Sequence, residues 1–210
     1  MSDKESHIGN LDLLGGRLCL DFVNTMDWHS SENPKENLDS FDDLVIWSEH
    51  VGILMKSEVQ RLRRMAAKFP SKAEVVLKKA IELREVIYRI FSSVTACNTP
   101  ENVDLSKFNE NLSKVMVQSR IVKTKAGFSW NSIGDKNSLD WMLNPVIRSA
   151  ADLLVSDELK RVKKCADPQC GWLFLDVSRN KSRRWCNMKD CGNRAKARRF
   201  YKRKKEEYLQ

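Results

Sequence analysis

Residues 165–205 read C-ADPQ-C-GWLFLDVSRNKSRRW-C-NMKD-C-GNRAKARRFYKRKK, and this stretch decides how the chain is understood. Cys165 and Cys170 form one C-x4-C pair, and Cys186 and Cys191 form a second pair after 15 intervening residues. Four deprotonated thiolates at about 2.3 Å from a central ion make the tetrahedral site that zinc favours. Gly171 lets the backbone turn away from such an ion, and Cys191 falls where a helix should begin, a position whose N–H groups favour a thiolate. With four cysteine ligands no coordination position stays open, so one structural zinc ion is expected rather than a hydrolytic one. An iron–sulfur cluster or redox thiol pairs are the alternatives left by spacing alone.

Between the pairs, Trp172 to Val177 and Ser182 to Trp185 are expected to form a hairpin about Arg179-Asn180-Lys181. Beyond Cys191, a helical wheel gathers Asn193, Ala197, Phe200, Tyr201 and Lys204 into a narrow stripe and leaves the opposite arc cationic. Residues 161–205 hold 16 basic and three acidic side chains, whereas residues 1–160 hold 21 basic and 23 acidic ones. Unrelieved self-repulsion of that density is stabilised by a polyanion. A short basic helix suits the DNA major groove, so duplex DNA is the expected partner and RNA the alternative. Arg194, Arg198 and Arg199 are the candidates for contact at or near bases. Lys196, Lys202, Arg203 and the hairpin residues Arg179, Lys181, Arg183 and Arg184 are the candidates for phosphates.

The remainder of the chain bounds the reading. Its 210 residues, with a net charge of +9, allow one sizeable core and a small appendage, here residues 1–160 and 161–210. No run of apolar residues is long enough to cross a membrane and no leader-like segment opens the chain, so a cytoplasmic protein with no membrane partner is expected. In that reducing compartment the clustered cysteines serve a metal better than disulfides. Cys19 and Cys97, alone among apolar neighbours, are expected to be small buried side chains.

The first part reads as mostly helical. Ser40 precedes a helix over 41–51 that carries Asp42 and Asp43 in its first turn and stops at Gly52. After Pro70, Ser71 and Glu74 have capping-box spacing, and Val76, Ala80, Leu83, Ile87, Ile90 and Val94 continue at helical intervals for some six turns. Leu105 to Val115 predict a further helix, and Val117 to Ile133 predict a hairpin about Lys125-Ala126-Gly127. Residues 139–155 return to helical spacing, with Pro145 starting or kinking the main helix, and Ser156 caps a last short turn. RLCLDFVNT, residues 17–25, suits a helix somewhat better than a strand. The fold class expected is mainly α: a helical domain with a small β-hairpin, then a treble-clef-like or ribbon-like four-cysteine finger ending in a basic helix.

No G-x-G-x-x-G, P-loop, H-E-x-x-H or G-x-S-x-G is present, and the histidines are His7, His29 and His50, so catalysis has no motif behind it. An effector pocket in the first domain would draw on Asp21, Asn24 and Arg84, with Trp130 as a wall. The same residues serve equally as caps, helix–helix hydrogen bonds or core. Three functions stand: a zinc-stapled DNA-binding regulator that senses an effector or assembles as a homodimer, an RNA-binding or ribosome-associated protein, and an enzyme with a zinc-stabilised tail.

The stretch from Cys165 to Tyr201, with CGWLFLDVSRNKSRRWC followed by CGNRAKARRFY, closely resembles the CGNR zinc-finger family of bacterial proteins. Upstream, GGRLCLDFVNT, IELREVIYRIF, GFSW and SAADLLVSDELKRVKKCA resemble the ABATE domain that precedes this finger. The resemblance covers nearly the whole chain. It implies zinc ligation by Cys165, Cys170, Cys186 and Cys191, and a stress-induced transcription regulator with an N-terminal sensing or ligand-binding domain.

Overall fold

The computed structural model describes residues 8–133 and 138–207. Among the described residues seven α-helices dominate: α1 (Leu18–Val23), α2 (Phe41–His50), α3 (Lys56–Lys68), α4 (Pro70–Thr95), α5 (Asn102–Val117), α6 (Leu143–Leu154) and α7 (Asn193–Glu207). Three antiparallel two-stranded ribbons interrupt them. These are β1 (Met26–Asp27) with β2 (Lys35–Glu36), β3 (Ser119–Thr124) with β4 (Gly127–Ser132), and β5 (Val162–Lys164) with β6 (Leu173–Leu175). Among the described residues no helix is long and apolar enough to cross a membrane.

RLCLDFVNT is helical over α1, and the apolar side chains Cys19, Leu20, Phe22 and Val23 are buried there. This short helix packs against α6 and α4, and the Phe22 ring lies 5.1 Å from that of Trp47 on α2. The 26-residue α4 is the spine, contacting α1, α2, α3 and α5. Ser40 caps α2 as expected, and it exchanges hydrogen bonds with Asp43 in the first turn. At α4 the expected Ser71–Glu74 box does not form. Pro70 takes the first helical position, where its fixed φ is already helical and its missing N–H costs nothing, so Phe69 is the cap residue. Glu74 instead pairs with Lys78. Pro145 lies in the first turn of α6, and Ser156 accepts from the Glu158 N–H. Cys19 is buried as expected, with its thiol pushed up to about 12 by burial. Cys97 is exposed at a positive φ just past α4, which corrects the expectation that it lies in the core.

Arg84 on α4 is wholly buried, which is costly for a cation unless it is paired and hydrogen-bonded. It donates to both Glu36 oxygens at 2.6 and 2.7 Å, to Glu85 at 3.0 Å and to Thr25 at 3.3 Å. Burial opposes its charge, and the two carboxylates outweigh burial and raise its pKa. One cation thus fixes α4 against β2 and the end of α1.

The strand partner of β6 differs from the expectation. Leu173–Leu175 pairs with Val162–Lys164, whereas Ser182 to Trp185 forms no strand. The physical reason is apolar: Val162, Leu173 and Leu175 are buried in the main core, together with α1 and α4 residues. The other edge of β6 is taken by the first domain. Asn24 donates to the Leu173 carbonyl and accepts from its N–H, both at 2.9 Å, and Leu175 N–H donates to the Gly15 carbonyl at 2.8 Å. Gly15 fits because a Cβ there would lie 2.7 Å from the Asp21 nitrogen. Truncating Leu173 removes core shared by both parts. Leu173→Ala should destabilise the whole chain by about 2–5 kcal/mol in one urea transition; an unchanged main transition would mean that β6 belongs to an independent appendage.

Candidate metal centre and nucleic-acid interface

The four cysteine sulfurs lie within 4.8 Å of one another and all four residues are buried. Cys165 follows β5, and its N–H donates to the Trp172 carbonyl at 2.8 Å. Cys170 closes a turn on the Asp167 carbonyl, and Gly171 then bends the chain at φ +75°, pressed so closely on Ser30 that no side chain would fit. Cys191 sits on a single π-helical turn, Met188–Gly192, that leads directly into α7. The Cys170–Cys186 and Cys186–Cys191 sulfur separations are both 3.6 Å. A tetrahedron with Zn–S bonds of about 2.3 Å has edges of about 3.8 Å, so the donor set fits zinc in both chemistry and spacing. Unaided, the thiols cannot all ionise: contact with Cys170, Cys186 and Cys191 pulls the Cys165 thiol down, and contact with Cys165, Cys170 and Cys191 pushes Cys186 up. One divalent ion held by all four resolves that conflict. The centre is a structural site for one zinc ion.

Around the sulfurs lies a layer that spacing did not reveal. Asp167 is buried and receives Arg194 and Arg198, each at 3.0 Å. Burial would raise its pKa, and those two guanidinium groups overcome burial and lower it. Arg194 also donates to the Cys191 sulfur at 2.9 Å and stacks 4.5 Å above the Trp28 ring. His29 N–H donates to the Cys170 carbonyl at 3.1 Å, and Trp172 Nε1 donates to the Met26 carbonyl at 3.1 Å. The loop after β1 therefore grips the knuckle from the first domain. The signal in the sequence is that Asp167 and Asp176 are two of three acidic side chains among the 16 basic ones of residues 161–205.

Asp176 organises the second loop. It accepts from Lys163 Nζ at 2.7 Å, from Ser178 Oγ at 2.6 Å and from the Arg183 N–H at 2.9 Å. Burial works against its charge, yet these donors hold the carboxyl well below its usual range.

The candidate nucleic-acid residues divide into two groups. Arg183 is half-buried, lies 4.2 Å above the Phe174 ring and donates to the Trp185 carbonyl, so together with Arg194 it braces the finger. Arg198 shares the Asp167 pair while remaining exposed. Arg179, Lys181, Arg184, Lys196, Arg199, Lys202 and Arg203 are exposed. The stripe on α7 does not pack: Phe200 and Tyr201 are 47% and 69% exposed. Residues 196–206 are exposed on every face, the stripe included.

The four candidate effector residues do not converge. Asp21 accepts the Gly15 N–H at 2.8 Å, Asn24 clasps Leu173, and Arg84 serves the ion-pair cluster. Trp130 borders an open groove of about 500 Å³ with Arg17, Pro145, Arg148 and Ser149. Of the histidines, His29 pairs with Glu85 at 2.8 Å and His50 contacts the Leu11 carbonyl at 2.9 Å; His7 lies outside the described residues.

Arg194→Gln should keep the four ligands yet release zinc to a chelator about 10- to 100-fold more readily, while Cys191→Ser should not retain stoichiometric zinc; metal content by mass spectrometry reads both. Burial pushes the Asp21 carboxyl up to about 6 against the opposing Gly15 N–H. A raised carboxyl favours the protonated folded state, so its contribution is present below about pH 4 and lost as pH rises through 6. Asp21→Asn should remove that loss from the pH dependence of urea stability.

A model of the CGNR zinc finger matches residues 161–204. A second, for ABATE, described as "Putative stress-induced transcription regulator", matches residues 16–157. No curated protein matches the chain. The ABATE match spans more than half of the sequence and takes in α1 through α6, and the CGNR match takes in all four sulfur donors, so the chain belongs to the ABATE family and carries a CGNR zinc finger behind that domain.

Proposed function

We propose that this protein is a zinc-dependent DNA-binding transcriptional regulator, in which the zinc knuckle presents the loop after β6 and the helix α7 to duplex DNA. The observation that carries the reading is the exposure of α7. Its 15 residues span about 22 Å, and Lys196, Arg199, Lys202 and Arg203 are all exposed to solvent. A polyanion relieves the repulsion among these cations, and counterion release makes the binding salt-dependent. Arg199 is the best placed of the three arginines first considered for base contact, because Arg194 is committed to Cys191 and Asp167, and Arg198 to Asp167. Arg179, Lys181 and Arg184 serve phosphates.

The division of the chain into a sensing part, residues 1–160, and a binding part, residues 161–210, belongs to the same proposal. Of the effector candidates, Trp130 has the open surroundings a ligand needs, while Asp21, Asn24 and Arg84 act through the scaffold. The regulatory description of the ABATE model supports a non-catalytic role. RNA remains the second reading, favoured by one observation: Phe200 and Tyr201 stand exposed among cations with ring centroids 5.7 Å apart, as side chains that stack on unpaired bases do.

Selection from a random duplex pool at low and near-physiological salt, with sequencing of the bound fraction, tests the proposal. Recurring sites that survive the higher salt are expected. Arg199→Ala with Lys202→Ala and Arg203→Ala should weaken binding at least tenfold while zinc content stays at one per chain. No enrichment from duplex, together with tighter binding to structured RNA, would replace this reading with the second.

A further inference from the structure

Arg148 on α6 is a half-buried guanidinium that no carboxylate of the described residues answers. Arg84 and Arg89 are paired with Glu36 and Asp104, and Arg17 is paired with Glu158. Arg148 instead lies 5.5 Å above the Trp130 ring, and among the described residues it makes no hydrogen bond and no ion pair. Burial works against its charge and lowers its pKa, with the field of Asp152 alone opposing that shift. Asp152, one turn further along α6, is exposed and likewise makes no ion pair among the described residues. A cation four positions before an acid is the weaker order for a helical pair, and Trp130 holds the guanidinium away.

Both charges line one groove of about 500 Å³, within the range of small-molecule sites. Trp130, Pro145 and Leu153 give it apolar walls. Ser149, next to Arg148, accepts the Cys19 N–H at 3.1 Å, and its own O–H meets no acceptor among the described residues. Arg17 and Glu158, also on the lining, neutralise each other. The groove therefore leaves one planar cation, one hydroxyl donor and one carboxylate without a complement, beside apolar surface.

We propose that this groove binds a free α-amino acid with an apolar side chain, its carboxylate on Arg148 and Ser149 and its ammonium on Asp152. A guanidinium receives a carboxylate through two parallel N–H bonds, and stacking on Trp130 holds the plane ready. A ligand with only negative charge would meet Asp152 unrelieved, and one with only positive charge would meet Arg148. Side chains four apart on a helix leave Cβ atoms about 6 Å apart, so the two ligand charges must be neighbours, as on one α-carbon, rather than at the two ends of a peptide. Trp130 is 43% exposed, and an apolar side chain laid against it removes both surfaces from water. The site rests on the sensing role proposed for residues 1–160, and it supplies that role with a ligand class. Its position suits the role: Ser149 touches the start of α1, and Ser156 and Glu158 belong to the turn that leads into β5.

Isothermal titration calorimetry of the zinc-loaded full chain, without nucleic acid, against L-phenylalanine, L-leucine and L-valine tests the site. Saturable binding of at least one of them is expected, with a dissociation constant on the order of 0.1 to 1 millimolar for so small a ligand in an open groove. Arg148→Gln should weaken it at least tenfold at unchanged zinc content and helicity. Hydrocinnamate, which is phenylalanine without its ammonium, should bind the unaltered chain several-fold more weakly than L-phenylalanine does, and Asp152→Asn should abolish that difference. No saturable binding up to about 10 millimolar overturns the proposal, as does binding that Arg148→Gln leaves unchanged. Equal affinity for hydrocinnamate and L-phenylalanine also overturns it, because the groove would then take a simple carboxylate. The DNA reading fails separately: amino-acid binding without any selected duplex would leave this site standing, and selected duplex sites without amino-acid binding would do the reverse.

Discussion

A finger this small cannot hold itself together by burial. Around its four cysteines only Phe174 is a fully buried aromatic, with Trp172 and Trp185 partly covered, and the flanking segments are dense in positive charge. Two constraints replace the missing core: four sulfurs that one cation brings into a tetrahedron, and a seam of backbone hydrogen bonds to the first domain. The seam matters as much as the metal. Asn24 acts as a strand edge for Leu173, Gly15 accepts from Leu175, and the His29 N–H holds the Cys170 carbonyl.

That seam changes how the two parts relate. Val162, Leu173 and Leu175 lie in the same cluster as Phe22, Ile87 and Ile147, so the finger begins inside the core of the body. Arg84 fixes β2 against α4, and the neighbouring Glu85 holds His29, whose ring lies 3.5 Å from that of Tyr88. A continuous set of contacts thus runs from the spine of the first domain to the loop that grips the knuckle. Arg194 then bonds a ligand sulfur from the base of α7, so the orientation of the basic helix is tied to the metal site through that guanidinium as well as through the turn that carries Cys191.

Features legible in the sequence were those written in local chemistry. Ser40 and Asp43 announce the start of α2, the recurrence from Val76 to Val94 marks α4, and two equal cysteine spacings mark the metal site. Features that depend on partners far along the chain were not. The strand Leu173–Leu175 looks as ready to pair with Ser182 to Trp185 as with Val162–Lys164, and only the shared core decides. Asn24 has the composition of a ligand contact, yet its partner is a backbone 149 residues away. Phe200 and Tyr201 fall on one stripe of the wheel, but nothing packs against that stripe. α3 leaves little trace in the sequence because Val59 and Leu62 are its only buried side chains, a pattern too sparse to stand out.

The proposed role requires that zinc, by fixing the knuckle, hold the cationic segment as a surface for nucleic acid. The most direct measurement is the affinity for one duplex across a salt series, made on the zinc-loaded chain and again after chelation. The account predicts tight binding with a steep salt slope in the loaded protein, and loss of all but weak, easily screened attraction once the metal is removed. Equal affinity and equal slope in both forms would contradict it, because the cations would then bind without the scaffold.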